Sequence, residues 1–222
     1  MVLDLEGTIT PIAFVKDVLF PYARERLPAF VRSHLKESRM RTLLDDVRAL
    51  SDQQGRPDIE AAIQQLLAWS DADAKIAPLK SLQGMIWDEG FANSTFCSPL
   101  YPDVVPTLCA WRARGIPLYI YSSGSTDAQK SLLRHTNAGN LCHLFHGHFD
   151  ATIGPKLKEE SYRALRDSIG FEPPEILFLS DHPGEIRAAR RAGWQAVLIE
   201  RDGAAPGREP PAMPDFAGLE AV

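Results

Sequence analysis

Hydrophobic and polar positions fall into two textures along the chain. From residue 13 to about 94 the apolar residues recur at helical spacing. Met40, Leu43, Leu44, Val47 and Leu50 make one stripe, and Ile59, Ile63, Leu66 and Leu67 a second whose helix Asp58 is placed to cap. Leu79, Leu82 and Ile86 begin a third. Phe14, Val18 and Leu19 open an earlier helix. Pro21 and Pro28 are expected to kink or break it, because proline has no N–H and clashes with the preceding turn. Residues 53–57 read as a turn between helices.

From about residue 95 strands alternate with helices. Residues 117–121, 175–179 and 195–199 read as strands. Ser125 or Thr126 can cap the helix after the first, and the helix after the second runs through Arg190 to Gly193. Gly115, Gly170 and Gly193 each follow a helix, where a left-handed residue is wanted. Near-continuous apolar strands imply a parallel sheet covered on both faces. The short lead Met1-Val2-Leu3 belongs with them. The predicted fold is therefore α/β, a parallel Rossmann-like sheet core over residues 1–12 and 95–222, with an all-helical insert over 13–94. Residues 202–214, rich in Pro, Gly and Ala, read as loop.

Composition narrows the function classes. With 222 residues, the chain can bury a sizeable core. A net charge of −5 without a Lys/Arg run argues against a nucleic-acid surface. Cys97, Cys109 and Cys142 are odd in number and form no CxxC pair, so a disulfide framework and a zinc site are not expected. No apolar run reaches membrane-spanning length, and Asp4 and Glu6 interrupt any signal-like start. A cytoplasmic protein, without membrane or nucleic-acid partner, is expected.

Sites in a parallel α/β sheet form beyond the carboxyl ends of the strands. Asp4 and Glu6 follow the first strand, and alternation puts both side chains on one side. One carboxylate can act as nucleophile and its neighbour as acid/base. Ser122, Ser123, Gly124 and Ser125 follow the next strand, a hydroxyl–amide nest at a helix start that suits phosphate. Ser180, Asp181 and, a helical turn on, Glu185 follow a third. Carboxylates with few basic neighbours call for a hard cation, and Mg²⁺ suits oxygen ligands and phosphate substrates. Lys156, on the loop Ile153-Gly154-Pro155-Lys156, can neutralise phosphate charge. Plainer alternatives stand beside these: Ser122 and Ser123 as a strand end and cap, Asp181 as an N-cap, Lys156 as a solvated lysine. His143, His146 and His148 cluster without a carboxylate or cysteine in register and are read as structural or exposed. Trp69, Trp87 and Trp111 are read as packing.

The order Asp, Ser, Lys, then an acidic motif resembles the haloacid-dehalogenase-like superfamily. More closely, the chain is similar to the enolase-phosphatases, the acireductone synthases of methionine salvage. Asp4-Leu5-Glu6-Gly7-Thr8 carries the Glu that replaces the superfamily's second Asp. The stretches 14–23, 82–87 and 101–104 resemble the cap entry and exit, and Tyr121-Ser122-Ser123-Gly124-Ser125, Gly154-Pro155-Lys156 and Phe178-Leu179-Ser180-Asp181 complete the set. The resemblance implies a HAD-like core with the helical insert as a cap that excludes water. It implies a Mg²⁺-dependent enzyme acting on 2,3-diketo-5-methylthiopentyl phosphate; a monomer is expected. A proton shift gives the enol, and loss of phosphate then gives the acireductone. Asp4 would bind metal and attack phosphorus. Glu6 would be acid/base, with its backbone carbonyl on the metal, and Asp181 would complete the ligands. Ser122, Ser123 and Lys156 would hold substrate oxygens. Two features differ from the family pattern: only three residues precede Asp4, and His182-Pro183-Gly184 follows Asp181 where an aliphatic residue is usual. The alternatives are a generic phosphatase of the superfamily, a hydrolytic dehalogenase and a phospho-acceptor receiver. A dehalogenase would leave Asp181 unexplained, and a receiver needs no lid.

Overall fold

In the computed structural model, which describes residues 1–51, 58–201 and 212–219, the chain divides into two compact units. One comprises Met1–Phe14 and Cys97–Val222, the other Val15–Phe96. The residues 53–57 read as a turn lie outside the described residues.

The second unit is helical. A π-helical stretch, Phe14–Leu19, leads into α1 (Phe20–Ser33), followed by α2 (Ser38–Leu50), α3 (Ile59–Asp71) and α4 (Ala77–Ala92). The stripes read from the sequence meet in one core of Leu27, Val31, Met40, Val47, Ile63, Leu66 and Leu82, among others. Truncating one such buried side chain to Ala costs about 2–5 kcal/mol. Asp58 caps α3 as expected, accepting from the Glu60 N–H at 3.0 Å. Leu50 is 58% exposed, so the α2 stripe ends at Val47. The helix is not broken at Pro28. Pro21 sits in the first turn, where a missing N–H is harmless. Pro28 stands inside α1, and burial of Leu27, Phe30 and Val31 around it outweighs its lost hydrogen bond.

Among the described residues the first unit is built on a six-stranded, all-parallel sheet in the order β3-β2-β1-β4-β5-β6. The strands are β1 (Val2–Leu3), β2 (Tyr119–Tyr121), β3 (Gly147–Phe149), β4 (Leu177–Ser180), β5 (Gln195–Ile199) and β6 (Ala212–Met213). Helices α5 (Val104–Ala113), α6 (Thr126–Arg134), α7 (Glu159–Ile169) and α8 (Pro183–Arg191) connect them. This is the α/β Rossmann-like architecture expected. Two strands were not foreseen. β3 pairs with β2, and β6 lies within the stretch read as loop, pairing Leu198 with Ala212 and Ile199 with Met213. Glu175 belongs to a 3₁₀ turn, Pro173–Glu175, rather than to β4. Tyr121, Tyr162, Phe178, Ile186 and Trp194 fill a core against the sheet. The chain order reverses between β1 and β4, which makes their carboxyl ends the natural crevice for a ligand.

Candidate active site

Asp4 leaves β1 at that crevice. Its N–H donates to Leu179 O at 2.8 Å, still in the sheet pattern, and its side chain is buried. Gly7, at φ +78°, turns the chain sharply. A Cβ there would lie 2.1 Å from Asp181 Oδ2, so glycine is what lets the Asp181 carboxylate rest against this turn. Thr8 Oγ1 accepts from the Asp181 N–H at 3.0 Å, tying the end of β4 to the loop after β1.

A buried ionic network joins the two strand ends. Lys156 Nζ is 2.6 Å from Asp4 Oδ1 and 2.6 Å from Glu185 Oε2. Lys156 is therefore no solvated lysine. Burial opposes its charge, but Asp4 and Glu185 outweigh burial, and its pKa is raised. Two tyrosines aim the loop that carries it: the Tyr162 hydroxyl donates to Lys156 O at 2.8 Å and the Tyr121 hydroxyl to Gly154 O at 3.0 Å. Ser180 Oγ lies 2.7 Å from Glu185 Oε2 and 3.3 Å from Asp4 Oδ2, and its single proton is better placed on Glu185. Burial first, and then the Asp4 charge, raise the pKa of Glu185. The same two causes, in the same order, push Asp181 up to about 6.

Asp181 is not the N-cap of α8. That place belongs to His182, whose Nδ1 accepts from the Gly184 N–H at 3.1 Å, so the family-atypical His182 has a local structural role and Asp181 stays in the crevice. Ser125 caps α6, accepting from the Ala128 N–H at 3.2 Å. Ser122 is buried, and two donors expected to line its nest are engaged within the fold: its own N–H donates to Phe149 O, and the Gly124 N–H donates to Ser122 Oγ. Accepting that bond leaves the Ser122 hydroxyl proton able to donate outward. Ser123 is exposed beside it. A Cβ on Gly124 would meet Ser122 Oγ at 3.8 Å and Glu6 Oε1 at 4.0 Å, which puts the Glu6 carboxylate at the serine loop while Asp4 faces Lys156. Gln129, missed in the sequence, braces this loop by donating to Gly124 O and Phe149 O, each at 2.8 Å. A lone glutamine inside a helix gives no sequence signal of that task.

His146 accepts from the Leu118 N–H at 3.3 Å and sits beside Arg112, and burial lowers the pKa of His148 on β3. Among the described residues, no three His, Cys, Asp or Glu side chains form a metal-holding group. The expected Mg²⁺ set needs only two, Asp4 and Asp181, because its third donor is the Glu6 backbone carbonyl. The donor chemistry fits a hard cation: all the donors are oxygen, and the Asp181 carboxyl, raised by burial and then by the Asp4 charge, has beside it a like charge that a cation would offset.

A family profile described as haloacid dehalogenase-like hydrolase matches residues 1–193. Enolase-phosphatase E1 of Thioalkalivibrio sulfidiphilus is 46% identical over 217 residues, covering 97% of this chain and 96% of that protein. Enolase-phosphatase E1 of Azotobacter vinelandii is 48% identical over 200 residues, covering 90% and 88%. Among solved structures, the UTR4 protein of Saccharomyces cerevisiae superposes with a TM-score of 0.79 at 31% identity, covering 98% of each chain.

Proposed function

We propose, from the premise that this chain belongs to the enolase-phosphatase E1 family of haloacid dehalogenase-like hydrolases, that it converts 2,3-diketo-5-methylthiopentyl phosphate to the acireductone and phosphate in methionine salvage. The observation that carries this reading is the pairing of two carboxylates with different surroundings. Asp4 is buried against Lys156, while Glu6 lies at the serine loop. Such a split suits a nucleophile and a proton carrier.

In this reading Glu6 carries the proton that turns the diketone into the enol. Lys156 and the Ser122 and Ser123 hydroxyls hold phosphate and enolate oxygens. The Asp4 carboxylate then attacks phosphorus and the enol oxygen departs. Water cleaves the aspartyl phosphate, returning Asp4 and releasing phosphate. A divalent cation, proposed as Mg²⁺ held by Asp4, Asp181 and the Glu6 carbonyl, supplies charge stabilisation for phosphate and enolate oxygens when bound. We assign the helical unit Val15–Phe96 the role of a cap that excludes water. We propose a cytoplasmic monomer. No helix among the described residues is long and apolar enough to cross a membrane.

Glu6→Asp tests the assignment. The shorter side chain withdraws the carboxylate by about 1 Å, enough to cost about a hundredfold in a positioned proton transfer. Enol formation from the diketo phosphate, followed by ultraviolet absorbance, should fall further than Mg²⁺-dependent hydrolysis of an aryl phosphate. Equal losses would remove Glu6 from enolisation. Aryl-phosphate turnover without any diketo-phosphate turnover in the wild type would leave a generic phosphatase.

A further inference from the structure

Arg201 is a buried cation outside the network described above. It lies two residues beyond β5, and its side chain is only 7% exposed. Its Nε donates to Thr8 O at 3.1 Å, and Nη2 donates to the same oxygen. Nη1 donates to Asp103 Oδ1 at 2.7 Å. The guanidinium lies 4.2 Å from the ring centre of Tyr101 and 4.7 Å from that of Phe216. Asp103 Oδ2 in turn accepts from the Phe216 N–H at 2.8 Å, so the segment after β6 closes over the cation.

Removing a guanidinium from water is costly, and one carboxylate pair alone does not guarantee a return. What distinguishes this guanidinium is its target. Two of its donors converge on one backbone carbonyl, a strong charge-assisted arrangement. That carbonyl belongs to Thr8, whose hydroxyl holds the Asp181 N–H and whose neighbour Gly7, by lacking a Cβ, leaves room for the Asp181 carboxylate. Arg201 holds the turn by the Thr8 backbone carbonyl, and the Asp181 N–H holds it by the Thr8 hydroxyl.

We propose that Arg201, sealed between Tyr101 and Phe216, is a positioning residue that fixes the Gly7-Thr8 turn and through it the Asp181 carboxylate for divalent-cation binding. The inference rests on the metal reading above and extends it to the segment after β6.

Arg201→Met combined with Asp103→Asn removes cation and carboxylate together, so neither is left buried alone. The probe is Mn²⁺ added to metal-stripped protein without substrate, its free concentration read by electron paramagnetic resonance, with folding checked by circular dichroism. Mn²⁺ affinity should fall about tenfold or more, the scale seen when support of a metal ligand is lost. In turnover, excess metal should recover part of kcat while KM for the phosphate ester holds, a split that general destabilisation does not produce. Phe216→Ala opens one face of the guanidinium and leaves every Arg201 hydrogen bond in place. It should weaken Mn²⁺ binding in the same direction by less, and it decides the question if the double variant does not fold. A folded double variant, or failing that Phe216→Ala, that binds Mn²⁺ as the wild type does overturns the inference alone. A wild type that binds no Mn²⁺ overturns the inference together with the metal reading beneath it.

Discussion

Asp4 holds its two oxygens unequally. Oδ1 accepts from the Leu5 N–H at 2.8 Å and from Lys156 at 2.6 Å, whereas among the described residues Oδ2 meets only the Ser180 hydroxyl, at 3.3 Å, with a proton better placed elsewhere. Oδ2 is therefore the less engaged oxygen, the one open to the phosphorus or the cation of the proposed reaction. Asp4→Asn keeps the shape and leaves Lys156 its Glu185 partner. It should lower phosphate release by about a thousandfold or more with an unchanged circular dichroism spectrum. Asp181 gives a prediction of opposite signs. Its folded pKa, raised to about 6 by burial and then by Asp4, exceeds the ordinary carboxyl value of 3.8. The folded state thus binds the proton more tightly, and ionised Asp181 lowers stability above that pKa. The burden is relieved as pH falls from about 6 toward 4. Asp181→Asn should weaken Mg²⁺ binding, yet metal-free protein should melt higher than wild type at pH 7, with the gap closing below pH 6. Calorimetry in chelator across that range checks it. No gap at pH 7 would mean that the Asp181 charge is screened by solvent.

At the scale of elements, legibility followed length and locality. Helices of 13 and 16 residues, such as α2 and α4, repeat their apolar stripe often enough to be read. β6, at two residues, carries no periodicity, and β3, at three, is only half-buried, so neither shows an apolar run. Placement of Asp4, Ser122 and Asp181 just past strands was readable because β1, β2 and β4 are buried and apolar. The grip of Arg201 on Thr8 was not, because it spans 193 residues and depends on the fold. Pro28 shows local propensity yielding to packing. Pro28→Ala restores an N–H for the Arg24 carbonyl in α1 and relieves a residue that disfavours helix interiors by about 3 kcal/mol. Part of that gain is offset by a more flexible unfolded chain, and a net of about 1 kcal/mol is expected. Thermal melting tests it, and a lower midpoint would show that the proline ring packs usefully.

For the molecule as a whole, the chain passes between its two units twice, at residues 14–15 and 96–97, and the first crossing runs into the π-helical stretch Phe14–Leu19. Such stretches often mark functional positions. If the helical unit is a cap, amide exchange in residues 9–19 and 93–99 should slow when Mg²⁺ and a phosphate analogue bind, because closure fixes the crossings. Exchange unchanged there, with slowing confined to the sheet unit, would argue against a moving cap. The sheet order has a consequence for the birth of the protein. β1 is the first strand in the chain, yet it lies in the middle of the sheet, with Val2 beside Tyr119 and Phe178. The helical unit draws its contacts from residues 15–96, all available early in synthesis. The strand of the proposed nucleophile must wait on the ribosome for both neighbours, and Asp4 meets Lys156 and its partner Glu185 only after Glu185 has been made. A nascent chain therefore carries the proposed attacking carboxylate without the site that would arm it until Glu185 has been made, long after the helical unit has the residues for its own contacts.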